Sequence, residues 1–230
     1  PEGYKYEFTG EQEEQQESMF FLMKAMLIAL SVILLILVSQ FNSAVKPAII
    51  MLSVVFSFIG VFGGLSTFRM DFVVIMTGIG IVSLAGIVVN NAIVLIDYID
   101  LLKARRRKEL GMEEDALLTK EDSTACIVQA GRTRLRPVLL TAITTILGLI
   151  TMAIGLNINF ATLLSEFDPQ IYFGGDMTAF WSPMSWTVIF GLTFSTFMTL
   201  VIVPCMYHLT YLLRVKMHQF RKVKPQAIAS

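Results

Sequence analysis

One stretch of the chain constrains the fold more than any other, because residues 72–96 contain no charged side chain. A helix of this length rises about 37 Å, which exceeds the roughly 30 Å thickness of the hydrocarbon core of a bilayer. The whole chain is 55% hydrophobic and 16% charged, whereas a soluble domain carries about 25% charged residues. The sequence therefore predicts an all-α polytopic membrane protein.

Four other apolar runs are long enough to cross a bilayer. Together with the first stretch they predict five membrane-spanning helices, at residues 19–41, 47–68, 72–99, 135–156 and 184–213. The remaining segments are a polar N-terminal part (1–18), two loops (100–134 and 157–183) and a basic tail (214–230). Alternating aromatic residues before residue 10 indicate the end of a β-strand, whose partner strands we expect in a domain upstream.

The distribution of basic residues predicts the orientation of the helices. Of the 18 Lys and Arg residues, nine lie between residues 100 and 136, five lie after residue 213, and one is Lys46. These 15 residues are predicted to lie on one side of the membrane. Loops rich in Lys and Arg face the cytoplasm. The loop at 100–134 and the tail are therefore predicted to be cytoplasmic, and the N-terminus and the aromatic-rich loop at 157–183 to lie outside.

The basic loop also carries a helix-start signal, because Thr119 is followed by Glu121 and Asp122. We expect a short surface helix at residues 123–130 after it. Six acidic residues between positions 109 and 122 interrupt the basic ones, and the chain has a net charge of zero. Nucleic acid is therefore not a predicted partner.

The third predicted helix carries a polar stripe, whose members are spaced by three, four and seven residues and so share one face: Ser83, Gly86, Asn90 and Asp97. Unpaired amides are costly in hydrocarbon, so this face is predicted to meet other helices or a water-filled path. Asn90 and its neighbour Asn91 have two open interpretations. They hold helices together through hydrogen bonds worth about 1 kcal/mol each, or they form a polar relay that moves with an ion. The spacing alone favours the first.

The fourth predicted helix carries a second stripe at steps of four and three residues: Thr141, Thr145, Gly148, Met152 and Gly155. Arg134 precedes Thr141 by about two helical turns and shares its face. The small residues of the two stripes predict close helix packing, namely Ser83, Gly86, Gly148 and Gly155. Small-residue seams are also predicted in the second and fifth helices: Ser53, Ser57, Gly60 and Gly64, and Gly191, Ser195 and Thr199.

The sequence gives little indication of an enzyme or a metal site. Its two cysteines, Cys126 and Cys205, lie far apart, and neither His208 nor His218 has a partner at ligand spacing. No pairing of a nucleophile with a base is evident. We therefore predict neither a catalytic residue nor a bound metal.

Two segments, GIVVNNAIVLID (86–97) and, after the basic loop, RTRLRPVLLT (132–141), resemble the C-terminal half of a resistance–nodulation–division (RND) efflux permease. The segment PEGYKYEFTG (1–10) resembles the connection from the last periplasmic porter subdomain to the eighth transmembrane helix. The resemblance covers nearly the whole chain. It implies that the five spans are helices eight to twelve, which form half of an RND transmembrane bundle.

The resemblance also implies a function. RND permeases are proton/substrate antiporters of the bacterial inner membrane, and two Asp on their fourth helix pair with residues of the tenth and eleventh. Carried over to this chain, the proton relay comprises Asn90, Asn91, Arg134 and Thr141. Asn90 stands where many members have Lys, so Arg134 would be the remaining cation near the Asp pair. The coupled ion and its stoichiometry stay open, and no cofactor is implied beyond the proton motive force.

The implied partners are an N-terminal half that supplies the acidic fourth helix, further copies in a homotrimer, a periplasmic adaptor, an outer-membrane channel and the lipid bilayer. The N-terminus would be periplasmic and the C-terminus cytoplasmic. Two alternatives remain: a non-transporting membrane scaffold or partner subunit, and an RND-superfamily exporter of proteins or lipids. In the first, Arg134 anchors the cytoplasmic end and Thr141 packs helices. The substrate is not indicated.

Overall fold

The computed structural model describes residues 10–113, 116–168 and 170–223. Within these ranges the chain forms six helices and one small antiparallel sheet: α1 (Glu11–Phe41), α2 (Val45–Thr67), α3 (Val74–Glu109), α4 (Lys120–Ile154), β1 (Leu156–Asn157), α5 (Phe160–Glu166), β2 (Tyr172–Phe173) and α6 (Asp176–Val223). In the sheet, Leu156 pairs with Phe173 and Asn157 with Tyr172. All helices except α5 are long and apolar enough to cross a membrane. The predicted all-α polytopic fold is therefore confirmed.

Helices α3 and α6 form the centre of the bundle, because α6 packs against α2, α3 and α4, and α3 packs against α1, α2, α4 and α6. Helix α1 lies at the side, against α3 and α2. The core between these helices consists of apolar side chains, and the largest fully buried ones include Ile50 of α2, Leu84 and Leu95 of α3, and Leu192 of α6. Apolar side chains on the outside of the bundle, such as those along α1, suit a lipid environment.

The predicted small-residue seams of α2 and α6 are buried. Ser53 and Ser57 are 3% and 0% exposed, and Ser195 and Thr199 are each 2% exposed. A Cβ at Gly60 would overlap the Cβ of Phe194 on α6 and lie 3.1 Å from a carbonyl oxygen of that helix. The seams therefore let the two helix backbones approach closely, as expected for small residues between spanning helices.

The ends of the helices differ from the sequence prediction. Helix α3 continues to Glu109 and α4 begins at Lys120, so the predicted loop at 100–134 shrinks to residues 110–119. The separate surface helix expected at 123–130 is wrong, because these residues belong to α4. Hydropathy identifies only the apolar part of a helix, whereas the charged ends are rich in Arg, Lys, Glu and Ala, which are strong helix formers.

The other predicted boundaries have different outcomes. Thr119 caps α4 as predicted, since its hydroxyl oxygen accepts a hydrogen bond from the backbone N–H of Asp122 at 3.1 Å. The predicted loop at 157–183 contains α5, β2 and the first turns of α6. Helix α1 begins at Glu11, inside the polar segment predicted at 1–18. The strand expected before residue 10 lies outside the described residues.

Candidate functional site: the polar face of α3 and α4

The polar stripe of α3 lies on the outer surface of the described helices. Ser83, Gly86, Asn90 and Asp97 are all exposed, and a Cβ at Gly86 would meet nothing within 4 Å. Asn91, the next residue after Asn90, is only 9% exposed and faces the core. The stripe is polar yet uncovered by the described part of the chain, so it is a face left open for a neighbour or for water.

The stripe of α4 is open in the same way. Thr141 and Gly148 are exposed, and a Cβ at Gly148 would meet nothing within 4 Å. The hydroxyl of Thr141 donates to the carbonyl oxygen of Val138 at 3.0 Å, which leaves the lone pairs of the hydroxyl oxygen able to accept. No described helix packs against Ser83, Gly86 or Gly148. The predicted close packing at these three residues therefore stays a prediction, and its partner would lie outside the described residues.

Gly155 differs from these three small residues. It ends α4 in the left-handed conformation, with φ at 68°, which favours glycine. A Cβ there would overlap the side chain of Thr178 near the start of α6. Gly155 therefore shapes the turn into β1 and its close contact with α6.

Arg134 connects α4 to α3. Its guanidinium carbon lies 4.3 Å from the centroid of the Tyr98 ring on α3, which is the geometry of a cation–π contact. The Nε atom of Arg134 is buried and has no hydrogen-bond acceptor among the described residues. Its N–H is a strong donor whose burial is costly without an acceptor, so the described residues leave this donor unsatisfied.

The connection between α3 and α4 sets the relative heights of the site residues. The chain reverses at residues 110–119, and the Nη2 atom of Arg106 lies 2.9 Å from a carboxylate oxygen of Asp122 across that turn. From the Tyr98–Arg134 contact, Asn90 lies about 12 Å back along α3 and Thr141 about 10.5 Å onward along α4, at about 1.5 Å per residue. The antiparallel helices therefore bring Asn90 and Thr141 to about the same height, beyond Arg134.

The sequence prediction missed a second polar cluster at the end of the bundle where α2 begins and α3 ends. The carboxylate of Asp100 accepts hydrogen bonds from Lys46 Nζ at 2.7 Å and from the Tyr207 hydroxyl at 2.6 Å. Lys103, one turn further along α3, is 5% exposed. The signals that could have found this cluster are a Lys flanked by apolar residues on α3 and two Tyr spaced by four on α6.

The described residues do not contain a cluster of three or more His, Cys, Asp or Glu side chains that could hold a metal ion. The α3–α4 face offers the Arg134 cation, the Asn90 amide, the Asp97 carboxylate and a row of hydroxyls. Such groups bind carboxylates and conduct protons through hydrogen bonds, and they do not form a metal centre.

Comparison with known proteins identifies the family. The profile of the AcrB/AcrD/AcrF family matches residues 1–211, which include both stripes. The chain belongs to the AcrB/AcrD/AcrF family of RND permeases. This family membership and the all-α membrane architecture of the chain agree with the resemblance found in the sequence.

Relatives of this RND chain are much longer than it is. It is 36% identical over 201 residues to the swarming motility protein SwrC of Bacillus subtilis (strain 168), covering 87% of this chain and 15% of that protein. It is 27% identical over 207 residues to the multidrug resistance protein MdtC of Klebsiella pneumoniae (strain 342), covering 90% of this chain and 17% of that protein. The chain thus spans about a sixth of the length of these relatives.

A solved structure shows the same fold. The X-ray crystal structure of a heavy metal efflux pump (crystal form II) superposes with a TM-score of 0.64 at 24% identity, covering 90% of this chain and 18% of that one. At this identity the likeness concerns the arrangement of the helices.

Proposed function

We propose that this chain forms one side of the proton pathway of a proton-driven RND efflux antiporter, with Asn90, Asn91, Arg134 and Thr141 as its coupling residues. The remaining side is a carboxylate-bearing helix from the N-terminal half of the permease. The proposal goes beyond family membership, because it assigns a driving ion and particular residues.

One observation carries the proposal: the open polar face of α3 and α4 ends at a half-buried cation, Arg134, whose buried Nε lacks an acceptor among the described residues. A face with this composition does not suit lipid, since each unpaired polar group in hydrocarbon costs several kcal/mol, about 2–7 by transfer measurements. Arg134 Nε is buried without an acceptor among the described residues. A carboxylate is the acceptor that pairs best with a guanidinium, and a helix bearing one would cover the face.

The chemistry of coupling follows from these groups. While the carboxylate is ionised, the Arg134 guanidinium attracts it and the α3–α4 face binds the acidic helix tightly. Protonation removes the negative charge and weakens this attraction, so the helices can shift relative to each other. Asn90 and Thr141, at about the same height, can hydrogen-bond to the carboxyl group in both protonation states. Asn90 carries no charge, which leaves the electrostatic part of the switch to Arg134.

The location and partners of the whole permease belong to the same proposal. The chain lies in the bacterial inner membrane, with its N-terminal side periplasmic and its basic side cytoplasmic, in keeping with the Lys and Arg distribution. The permease forms a homotrimer and works with a periplasmic adaptor and an outer-membrane channel. Its substrates are small molecules, in keeping with the name of MdtC as a multidrug resistance protein and of the solved structure as a heavy metal efflux pump.

The test uses the full-length permease that carries this chain, expressed in a bacterium without its own RND pumps. A panel of cationic dyes, detergents and divalent metal ions first identifies a compound that the wild type exports. Arg134→Ala is then expected to reduce its export at least about tenfold, because a charge-assisted hydrogen bond is worth about 1.5–3 kcal/mol. The amount of protein in the membrane should not change.

Arg136→Ala is the matched control. Arg136 lies two residues further on the same helix, on the opposite face, and is exposed. If Arg134 merely anchors the basic end of the helix, both variants should behave alike. Normal export by Arg134→Ala would overturn the proposed relay. In a non-transporting scaffold, Gly148→Leu should disturb assembly more than Arg134→Ala does.

A further inference from the structure

The basic end of the bundle contains a small cavity that the transport proposal does not use. It has a volume of about 80 Å³ and lies between the start of α2, the end of α3, residues 117–118 of the connector and residues 207–211 of α6. A water molecule occupies about 30 Å³ in the liquid, so the space suits a few waters or one small anionic group. The cavity is lined by both basic and apolar side chains: Val45, Lys46, Lys103, Arg107, Leu117, Leu118, Tyr207, Thr210 and Tyr211.

Three of the lining side chains are cations, and one described carboxylate balances them in part. Asp100 pairs with Lys46 at 2.7 Å. Lys103 and Arg107 lie one turn apart on the same face of α3. Arg107 uses its Nε to donate to the carbonyl oxygen of Ala116 at 3.0 Å, which keeps its Nη atoms available. Among the described residues, the cavity therefore retains two positive charges.

Lys103 is the most informative of these residues. It is only 5% exposed, and its Nζ lies 4.5 Å from the centroid of the Tyr207 ring and 4.8 Å from that of Tyr211. Aromatic faces stabilise an ammonium group but accept none of its three N–H donors in the way that an oxygen does. No described residue accepts a hydrogen bond from this group. A buried ammonium with free donors that lines a cavity is built to meet an anion.

The cavity is held in shape by contacts that do not use Lys103. Tyr211 donates its hydroxyl to the carbonyl oxygen of Leu118 in the connector, and Tyr207 donates to Asp100 at 2.6 Å. Both rings are thereby held close to the ammonium. At the mouth, Val45 and Leu117 are each 40% exposed, so an anion bound inside would have apolar side chains beside it.

From this arrangement we propose that the cavity binds a phosphate group, and that the group is the headgroup of an anionic phospholipid. The phosphate oxygens accept from Lys103 and Arg107, while the glycerol and the first acyl carbons contact Val45 and Leu117. Basic pockets between spanning helices bind such headgroups. The cavity lies at the end of membrane-crossing helices, where headgroups are abundant. A soluble phosphate compound would use the same donors without the apolar contacts.

The test is native mass spectrometry of the full-length permease, purified in detergent and exposed to phosphatidylglycerol, to phosphatidylcholine or to inorganic phosphate. The wild type should retain phosphatidylglycerol and not phosphatidylcholine. Lys103→Met should lower this retention at least about tenfold, as expected for the loss of one charge-assisted hydrogen bond. Lys108→Met is the matched control, since it removes the same charge from an exposed position on the same helix, and it should retain the lipid.

Three other results would decide against the proposal in whole or in part. Equal retention by the wild type and Lys103→Met would overturn the site. Inorganic phosphate that binds in a Lys103-dependent manner, with no preference for phosphatidylglycerol, would overturn the lipid assignment and keep the phosphate chemistry. In case Lys103→Met does not fold, photoactivatable phosphatidylglycerol on the unmodified protein should label α3 near Lys103 and α6 near Tyr207. Labelling confined to other helices would contradict the proposal.

Discussion

The close contact between α2 and α6 predicts that Gly60→Ala destabilises the bundle. A Cβ at residue 60 would lie 3.0 Å from the Cγ of Phe194, closer still to its Cβ, and 3.1 Å from the carbonyl oxygen of Phe190. Carbon atoms prefer separations of about 3.5–4.0 Å. Neither a Cβ nor a backbone oxygen can move by a change of rotamer, so α2 and α6 must separate by about 0.5 Å or more to reach that range.

The expected cost follows from this displacement. Inserting one carbon into a well-packed core costs about 1–3 kcal/mol, and separation of the helices adds lost contacts along the whole seam. Alanine favours the helix over glycine by up to about 1 kcal/mol, which offsets part of the cost. We expect a net loss of about 1–2 kcal/mol, seen as a lower midpoint of thermal unfolding of the purified full-length permease in detergent.

Gly63→Ala provides the control for this prediction. Gly63 lies on the same helix, less than one turn away, but a Cβ there would meet nothing within 4 Å. This variant should be neutral or slightly stabilising. Equal unfolding midpoints for Gly60→Ala and the wild type, or an equal loss in both variants, would refute the argument that α2 and α6 meet at Gly60.

Two further variants test contacts of the polar residues. Tyr98→Leu should reduce export of a transported compound by about fivefold, because a cation–π contact worth about 0.5–2 kcal/mol positions Arg134. Tyr98→Phe keeps the aromatic ring and should export normally. An equal loss of export in both variants would exclude a role for the ring. Asp100→Asn should lower the unfolding free energy by about 1–2 kcal/mol, because it weakens a partly exposed ion pair with Lys46 and the hydrogen bond from Tyr207. A thermal midpoint that does not change in Asp100→Asn would show that this network contributes nothing to stability.

The number of spanning helices could be read from hydropathy, but their ends could not. The charged segment that follows Ile99 was interpreted as a loop because hydropathy decreases there, whereas α3 continues to Glu109. Helical hydrogen bonds do not depend on whether side chains are apolar, and Arg, Lys and Glu favour the helix. The Thr119 cap was readable because capping is a local interaction between residues three apart.

The site residues show a different limit. Periodicity places Asn90 on a polar face but does not tell which neighbour covers that face, and in the structure Asn90 is exposed while Asn91 is buried. The contact between Arg134 and Tyr98, and the approach of Lys103 to Tyr207, join residues 36 and 104 positions apart. Contacts of this kind depend on how helices pack, which the pattern of a single helix does not encode.

The most direct test of the central claim is substrate-driven proton movement in liposomes. The full-length permease is reconstituted with a pH-sensitive dye inside, and a compound that the wild type exports is added. We expect the wild type and Arg136→Ala to move protons when the compound is added, and Arg134→Ala not to do so. Proton movement by Arg134→Ala at the wild-type rate would contradict the assignment of Arg134 to the coupling site.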